Sequence, residues 1–230
     1  MTAPPSALLV LTSHDTLGDT GRSTGAYMSE VADAWKVFTD AGYEVDVASV
    51  RGGRPPVEAV NEADPTQQAF LADPAMASKM DNTLRPDEAD AGYRIVFVAG
   101  GHGAVWDLPE DAALAALIRD VYEAGGVVAA VCHGPAALVD VVLSDGRHLV
   151  AGRRVSAFTN DEERAVGMTG IVPFLLADRL AERGAVTDAA PPFMPHVAVD
   201  GRLVTGQNPP SASRVAAEAV RVAGVLATAT

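Results

Sequence analysis

The chain contains one cysteine, Cys132, and its neighbours are typical of a catalytic thiol. An apolar run, Val127–Val131, leads into Cys132, which is followed by His133 and then by Gly134 and Pro135. A buried strand that turns sharply into a helix presents its central side chain above the carboxyl end of the sheet, where open α/β sheets bind ligands. The dipole of a helix that begins there is expected to lower the thiol pKa. We therefore predict that Cys132 is a nucleophile rather than a buried structural thiol.

A glycine-rich turn follows another apolar run, at residues 95–99, and is a second candidate for substrate contact. Gly100 and Gly101 allow the backbone to approach a ligand closely, and His102 comes directly after them. Backbone N–H groups of this turn, together with the N–H of His133, could form an oxyanion hole. The spacing of the glycines matches neither common phosphate-binding loop.

Glu30 is a third candidate because it lies near the start of an amphipathic helix predicted at residues 27–41. It is one residue from the apolar stripe that contains Val31 and Phe38. A carboxylate in the first turn is often only a partner of the helix dipole. If Glu30 is instead buried near Cys132, its pKa rises and it becomes a protonated donor that can act as an acid and a base.

Short apolar runs alternate with longer amphipathic stretches, which predicts an α/β fold with a mostly parallel sheet. Nearly continuous apolar runs are expected to be strands covered on both faces, at residues 7–12, 45–50, 95–99 and 127–131. Helices are predicted at residues 27–41, 111–124, 172–183 and 211–227. Further short strands are predicted at 154–156, 197–199 and 203–205, the last two joined by the turn Asp200-Gly201. Helices flanking the sheet on both faces make a three-layer sandwich.

The chain has 230 residues, 48% of them hydrophobic, which fits one domain over residues 1–230. The stretch at about 52–90 is rich in Pro, Asp, Asn and Gln and is expected to be an excursion that covers the active-site side. The formal net charge of −13 repels phosphate backbones and anionic lipid, so neither nucleic acid nor a membrane is an expected partner. A single cysteine excludes an internal disulfide, and no signal peptide or membrane-spanning run is apparent. We therefore expect a cytoplasmic protein.

Five motifs, in order along nearly the whole chain, resemble the ThiJ/PfpI superfamily, which is related to class I glutamine amidotransferases. They are GAYMSEV around Glu30, AGGHG at residues 99–103, AAVCHGP at 129–135, FTNDEE at 158–163 and GRLVTGQNP at 201–209. Within the superfamily they are most similar to the heat-shock chaperone and glyoxalase III branch. The resemblance implies a flavodoxin-like, class I glutamine amidotransferase-like α/β sandwich and a homodimer.

The resemblance also implies a Cys-His-Glu triad. Cys132 would be the nucleophile and His133 its partner base, held in the right tautomer by a carboxylate. The carboxylate would come from the acidic run after Asn160, where the Phe-Thr lead-in favours Glu163 and leaves Glu162 as the alternative. The same run could be only the first turn of a helix that Asn160 caps.

Other residues receive roles by the same resemblance. Glu30 would be the buried carboxyl group that touches the thiol. Gly101 would supply one oxyanion-hole N–H, beside that of the residue after the nucleophile. We expect Gly100 and His102 to line the substrate pocket, with Trp106 as a further wall. The other histidines show no tight ligand spacing, so we predict no metal, and the chemistry requires no cofactor.

These assignments imply a cofactor-independent glyoxalase III, of the D-lactate dehydratase type, with a small-molecule aldehyde as substrate. It would convert methylglyoxal or glyoxal to a hydroxy acid through a hemithioacetal on Cys132. Protein deglycation and a stress-protective role are related activities that the resemblance suggests. Two alternatives stay open: a small peptidase or amidase with the same nucleophile, and a non-catalytic stress chaperone or redox sensor. Isonitrile hydration also occurs in the superfamily, but relatives with that activity generally lack a histidine at the position of His133.

Overall fold

Strands and helices alternate along the described part of the chain. The computed structural model describes residues 4–228, with side chains up to Gly224. The strands are β1 (Ser6–Leu11), β2 (Ala26–Tyr27), β3 (Glu44–Ser49), β4 (Val57–Glu58), β5 (Ile95–Val98), β6 (Val127–Val131), β7 (Arg154–Val155), β8 (Val186–Thr187), β9 (Val197–Asp200) and β10 (Leu203–Gly206). The α-helices are α1 (Met28–Asp40), α2 (Pro65–Ala72), α3 (Pro74–Asp81), α4 (Ala104–Asp107), α5 (Ala112–Glu123), α6 (Asn160–Ala165), α7 (Leu176–Glu182) and α8 (Ala212–Thr228). Short 3₁₀ helices lie at Gly18–Thr20, Pro86–Glu88, Gly134–Leu138 and Pro209–Ser211.

Six of the strands form the central sheet, in the order β3-β1-β5-β6-β10-β9. All neighbouring pairs are parallel except β9 and β10, which form the antiparallel hairpin expected from Asp200-Gly201. The strands β1, β5 and β6 lie inside the sheet and are buried almost throughout, in keeping with their continuous apolar sequences. Their carboxyl ends meet at one edge, where the predicted site residues follow.

Side chains of the central strands alternate between two apolar cores, one on each face. Leu9 and Phe97 point into the core that α1 and α8 cover, where Phe38 packs edge-on against Phe97. Leu8 and Val96 point into the opposite core, which α5, α7 and the 3₁₀ helix Gly134–Leu138 cover. The prediction of a mostly parallel sheet between two helical layers is therefore confirmed.

The polar stretch at residues 52–90 contains β4, α2, α3 and the 3₁₀ helix Pro86–Glu88. Its two α-helices begin where the sequence supplies both an N-cap and a proline. Asp64 accepts hydrogen bonds from the first turn of α2, and Asp73 does the same for α3. Strand β4 pairs with β2, immediately before the helix that carries Glu30, so this stretch is tied to the site through one short ladder.

The helix expected after Cys132 is a 3₁₀ helix of five residues. One local expectation was wrong. The helix predicted at residues 172–183 begins later, at Leu176, because the chain from Met168 to Phe174 forms turns. Among the described residues, no helix combines the length and the apolar character needed to cross a bilayer.

Candidate active site

Cys132 occupies a strained turn at the end of β6. Its φ is +59°, in the left-handed region that costs free energy for a residue with a side chain. Two neighbouring segments hold this conformation: the Cys132 N–H donates to the carbonyl of Gly206 in β10 at 2.9 Å, and the Cys132 carbonyl accepts from the N–H of Phe158, in the loop before α6, at 2.9 Å. Gly100 packs behind the turn, where a Cβ would lie 2.8 Å from the Cβ of Cys132. The turn thus presents the thiol to the cavity above the sheet.

A cavity of about 490 Å³ opens above the thiol. Cys132 itself is only 3% exposed, so the sulfur is shielded from bulk water but lies on the cavity wall. The named polar residues of the wall come from four segments: β2, α1, the turn after β5 and the turn after β6. The apolar side is formed by residues that are distant in sequence. The walls include Tyr27, Ser29, Asp33, Gly101, His102 and His133 on the polar side and Phe158, Val166, Phe193, Pro209 and Pro210 on the apolar side.

His133 connects the thiol to a carboxylate. Its Nδ1 is 3.4 Å from Sγ of Cys132, and its Nε2 is 2.8 Å from Oε2 of Glu163. Glu163 lies in the first turn of α6, and its other oxygen, Oε1, is 3.0 Å from Nε2 of His102. The Phe158 ring packs against the His133 ring at a centroid distance of 4.5 Å. Sulfur, imidazole and carboxylate therefore form one continuous chain of contacts.

The charge states of this chain of contacts follow from its surroundings. Although burial opposes its ionisation, hydrogen bonds from His102 and His133 lower the pKa of Glu163 to about 2. Burial lowers the pKa of His133, and its hydrogen bond to Glu163 acts in the opposite direction. At neutral pH the glutamate is ionised and the imidazole neutral. An ionised carboxylate only accepts, so Nε2 of His133 carries the proton and Nδ1 is free to accept one from the thiol.

Glu30 lies in the first turn of α1, completely buried beneath the thiol. Oε2 accepts from the Gly100 N–H at 2.6 Å, whereas Oε1 is buried without a hydrogen-bond partner among the described residues, and the carboxyl group lies near enough to Cys132 to raise the pKa of the thiol. Burial raises the pKa of Glu30 to about 8, only partly offset by the hydrogen bond from Gly100. The group is therefore protonated at neutral pH and can donate toward the sulfur or toward a bound substrate.

The resting thiol differs from the sequence expectation. Burial, and then the nearby Glu30 carboxyl group, raise the pKa of Cys132 above its ordinary value, although the N–H groups of Gly101 and His133 face the sulfur and act in the opposite direction. The expected lowering is therefore wrong, because burial of the thiol outweighs the N–H groups that face the sulfur. The sulfur is thus protonated at rest and must pass its proton to a base before it can attack.

Glu162 lies next to Glu163, but its carboxylate points away from His133, toward Thr159, Phe193 and Asn208. Its Oε2 accepts from the N–H and hydroxyl of Thr159, in a capping box that starts α6. Its Oε1 accepts from the Phe193 N–H and from the Asn208 side chain, at 2.8 and 2.9 Å. The cap expected at Asn160 is therefore one residue earlier, at Thr159. Of the two adjacent carboxylates, only Glu163 contacts His133.

The other expected pocket residues divide between the cavity and its surroundings. His102 and Gly101 line the cavity, whereas Gly100 lies behind the thiol. Trp106 does not reach the cavity; its ring stacks on His14 at 5.0 Å and lines a separate surface hollow. The sequence did not indicate that Phe158 forms an aromatic wall of the cavity, although this residue begins the FTNDEE motif.

Three side chains of this centre also offer ligand atoms of the kind that zinc takes. The atoms of His102, His133 and Glu163 all lie within 4.8 Å of one another. Spacing along the sequence could not indicate this group, because its members come from separate turns and a helix. Both oxygens of Glu163 are already hydrogen-bonded by the two rings, so the cluster is satisfied without an ion. That this site functions without a metal ion therefore remains a prediction from the sequence.

Comparisons with known proteins identify similar chains. The profile of the DJ-1/PfpI family matches residues 23–222. A glutathione-independent glyoxalase of Schizosaccharomyces pombe is 33% identical, over 88% of this chain and 88% of its own length. The solved structure of a 24 kDa rapid encystment protein of Francisella tularensis superposes with a TM-score of 0.91 at 34% identity, covering 95% of this chain and 99% of that one. The glyoxalase III of Candida albicans superposes with a TM-score of 0.86 at 30% identity, covering 95% and 97% of the two chains.

Proposed function

The chain belongs to the DJ-1/PfpI family, as its motifs predicted, and from that premise we propose that it is a cofactor-independent glyoxalase III. Its substrates would be methylglyoxal and glyoxal, and its products the corresponding hydroxy acids. The observation that carries the proposal is the arrangement of three groups: the Cys132 thiol on the cavity wall, the His133 ring 3.4 Å from it, and the protonated carboxyl group of Glu30 buried next to the thiol. The glyoxalase names of the relatives support the same reaction.

The first step is addition of the sulfur to the aldehyde carbon. His133 accepts the thiol proton at Nδ1 as the S–C bond forms, and Glu163 stabilises the imidazolium that results. The aldehyde oxygen takes the proton of Glu30, while N–H groups of Gly101 and His133 stabilise the developing negative charge. The product is a hemithioacetal, with Glu30 now ionised.

The second step moves a proton between the two carbons of the dicarbonyl. The Glu30 carboxylate removes the proton from the carbon bound to sulfur, and the imidazolium protonates the neighbouring carbonyl oxygen, which gives an enediol. Glu30 then returns the proton to the second carbon and takes the hydroxyl proton of the first, which leaves a thioester. A single buried carboxyl group with a pKa of about 8 can both donate and accept a proton in this step, because its protonated and ionised forms differ little in free energy near neutral pH.

The third step is hydrolysis. His133, neutral again, takes a proton from water as the water attacks the thioester, and the C–S bond breaks to restore the Cys132 thiol. Substrate plus one water equals the hydroxy acid, so no electrons are gained or lost and neither nicotinamide nor glutathione enters the balance. The triad of Cys132, His133 and Glu163 acts in the first and third steps, and Glu30 in the second.

A substrate panel tests this proposal. Purified protein is assayed without glutathione on methylglyoxal, glyoxal, peptide amides and isonitriles, with Cys132→Ser as the inactive reference. We expect formation of D-lactate from methylglyoxal by the wild type only. Turnover of peptide amides without that of the aldehydes would favour the amidase alternative, and methylglyoxal turnover by Cys132→Ser at the wild-type rate would reject the mechanism.

The proposal includes a homodimer in the cytoplasm. The family implies the dimer, and the single cysteine is compatible with a reducing compartment. Light scattering on the purified protein measures the mass directly, and a mass of one chain at micromolar concentration would contradict the dimer.

A further inference from the structure

The cavity above Cys132 is larger than the smallest dicarbonyl aldehydes require. Its volume of about 490 Å³ is in the range of cavities that enclose drug-sized ligands. Glyoxal carries no substituent, and methylglyoxal carries only a methyl group. Either molecule, placed with its aldehyde carbon at the sulfur, leaves the outer part of the cavity to water. The size of the cavity therefore favours a substrate with a larger group next to its two carbonyls.

The walls indicate the character of that group. Beyond the imidazole of His133, the outer wall is apolar and is built by Phe158, Val166, Phe193 and Pro209. Val166 and Phe193 are 43% and 50% exposed, so apolar surface is left open to water at the mouth of the cavity. Burial of such surface by a ligand is favourable.

The side of the cavity formed by α1 disfavours a negatively charged group. Asp33 contributes a carboxyl group there. An anionic substituent would approach this carboxyl group in a chain whose formal net charge is −13. A neutral, apolar substituent meets no such repulsion.

Phe193 is held at the cavity mouth by its backbone. Its φ is +62°, a conformation that costs free energy for an aromatic residue, so surrounding contacts must maintain it. Glu162, which is fully buried, accepts the Phe193 N–H at 2.8 Å. Asn208 donates to the same oxygen of Glu162 and to the carbonyl of Met194, each at 2.9 Å. The phenyl ring is thus set against the cavity by a hydrogen-bond network that does not include the triad.

From these observations we propose that the site prefers α-oxoaldehydes with a bulky apolar substituent, alkyl or aryl, over methylglyoxal and glyoxal. The substituent packs between Phe158 and Phe193 while the two carbonyls face Cys132. Phe193 is then a specificity-determining residue, because it contacts the substituent and none of the reacting atoms. The inference rests on the proposed glyoxalase function and names the substrate class for the same site.

The test compares phenylglyoxal with glyoxal, which cannot reach the outer wall. Wild type is expected to show the higher kcat/KM for phenylglyoxal. Phe193→Ala removes the ring, and we expect the ratio of the two kcat/KM values to fall about 3- to 30-fold. Phe193→Asn also removes the ring but tolerates positive φ, so a fall of the same size in both variants excludes a backbone effect. Met194→Ala is the matched control: its side chain is 56% exposed outside the cavity, and the ratio should stay at the wild-type value.

The outcomes separate this inference from the function on which it rests. Turnover of neither glyoxal nor methylglyoxal by the wild type would reject the proposed function, and this inference with it. Turnover of both aldehydes, with a ratio unchanged in Phe193→Ala and Phe193→Asn, would overturn only the role of Phe193. A wild type that favours glyoxal over phenylglyoxal would overturn the proposed substrate class.

Discussion

Glu162 and Glu163 are adjacent in the first turn of α6, yet their carboxylates serve opposite sides of the site. Glu163 accepts from His133 at 2.8 Å, whereas Glu162 accepts from the backbone of Phe193 at 2.8 Å. Neighbouring residues on a helix point about 100° apart, so one turn can supply both the carboxylate behind the imidazole and the anchor for the outer wall. The resemblance favoured Glu163 as the partner of His133, but position in the sequence could not indicate the contact of Glu162 with Phe193.

The pair gives a matched set of variants. Glu163→Gln keeps the shape but removes the charge that orients His133, and we expect kcat for methylglyoxal to fall about 10²- to 10⁴-fold. Glu162→Gln should leave kcat within about tenfold of wild type but cost about 1–3 kcal/mol of stability, because a buried amide replaces an acceptor of several hydrogen bonds. Steady-state kinetics and urea unfolding measure the two effects. An equal loss of kcat in both variants would contradict the assignment.

His102 is expected to act through Glu163. Its Nε2 holds Oε1 of the carboxylate at 3.0 Å, and this bond helps to keep the pKa of Glu163 near 2. In His102→Ala we expect kcat to fall about tenfold, in proportion to the loss of one hydrogen bond to a charged group. The acidic limb of the kcat/KM profile should also move to higher pH, since Glu163 becomes easier to protonate. His148→Ala is the control, and a profile identical in His102→Ala and wild type would refute this role.

Glu30 should reduce the stability of the fold at neutral pH. Below its unfolded-state pKa of about 4.5, Glu30 is protonated in both the folded and the unfolded chain, and its ionisation does not affect the free energy of unfolding. Between pH 4.5 and about 8 only the unfolded chain ionises, so the free energy of unfolding falls as pH rises. Above about pH 8 both states are ionised, and the loss of stability is constant. Glu30→Gln removes this cost, and we expect a gain of about 3 kcal/mol at pH 7 that disappears at pH 4.

Urea unfolding at the two pH values measures this difference. Glu44→Gln, which replaces an exposed carboxyl group at the start of β3, is the control and should show no pH-dependent gain. Stabilisation of Glu30→Gln by the same amount at both pH values would show that Glu30 is not a buried acid with a raised pKa. The same variant should lose methylglyoxal turnover, which would make Glu30 a group retained for function at the expense of stability.

Much of the fold was predictable because apolar runs report burial directly. Val127–Val131 is a strand at the expected residues, and the hairpin at Asp200-Gly201 forms as its turn sequence indicates. The length of the helix after Cys132 was not predictable, since Pro135 suits the first turn of either kind of helix. The direction of the thiol pKa shift was not predictable either, since it is set by the burial of Cys132 in the folded chain.

The outer wall of the site lay beyond sequence reasoning for a different reason. Phe193 has no periodic neighbours, and its position depends on distant contacts such as the hydrogen bond to Glu162, 31 residues away. Trp106 carried the stronger local signal, an aromatic residue after a glycine turn, yet it stacks on His14 outside the cavity. Contacts between loops distant in sequence decide such positions, and a single sequence contains no pattern for them.

We assign the nucleophile to the sulfur of Cys132, and the presence of one cysteine in the chain makes a direct measurement possible. The protein is treated with increasing iodoacetamide, and the labelled fraction from intact mass is compared with the remaining methylglyoxal turnover. From this assignment we expect activity to fall in direct proportion to labelling, to reach zero at one label per chain, and to be protected by methylglyoxal, which should slow the labelling. A fully labelled protein that still converts methylglyoxal at the wild-type rate would contradict it.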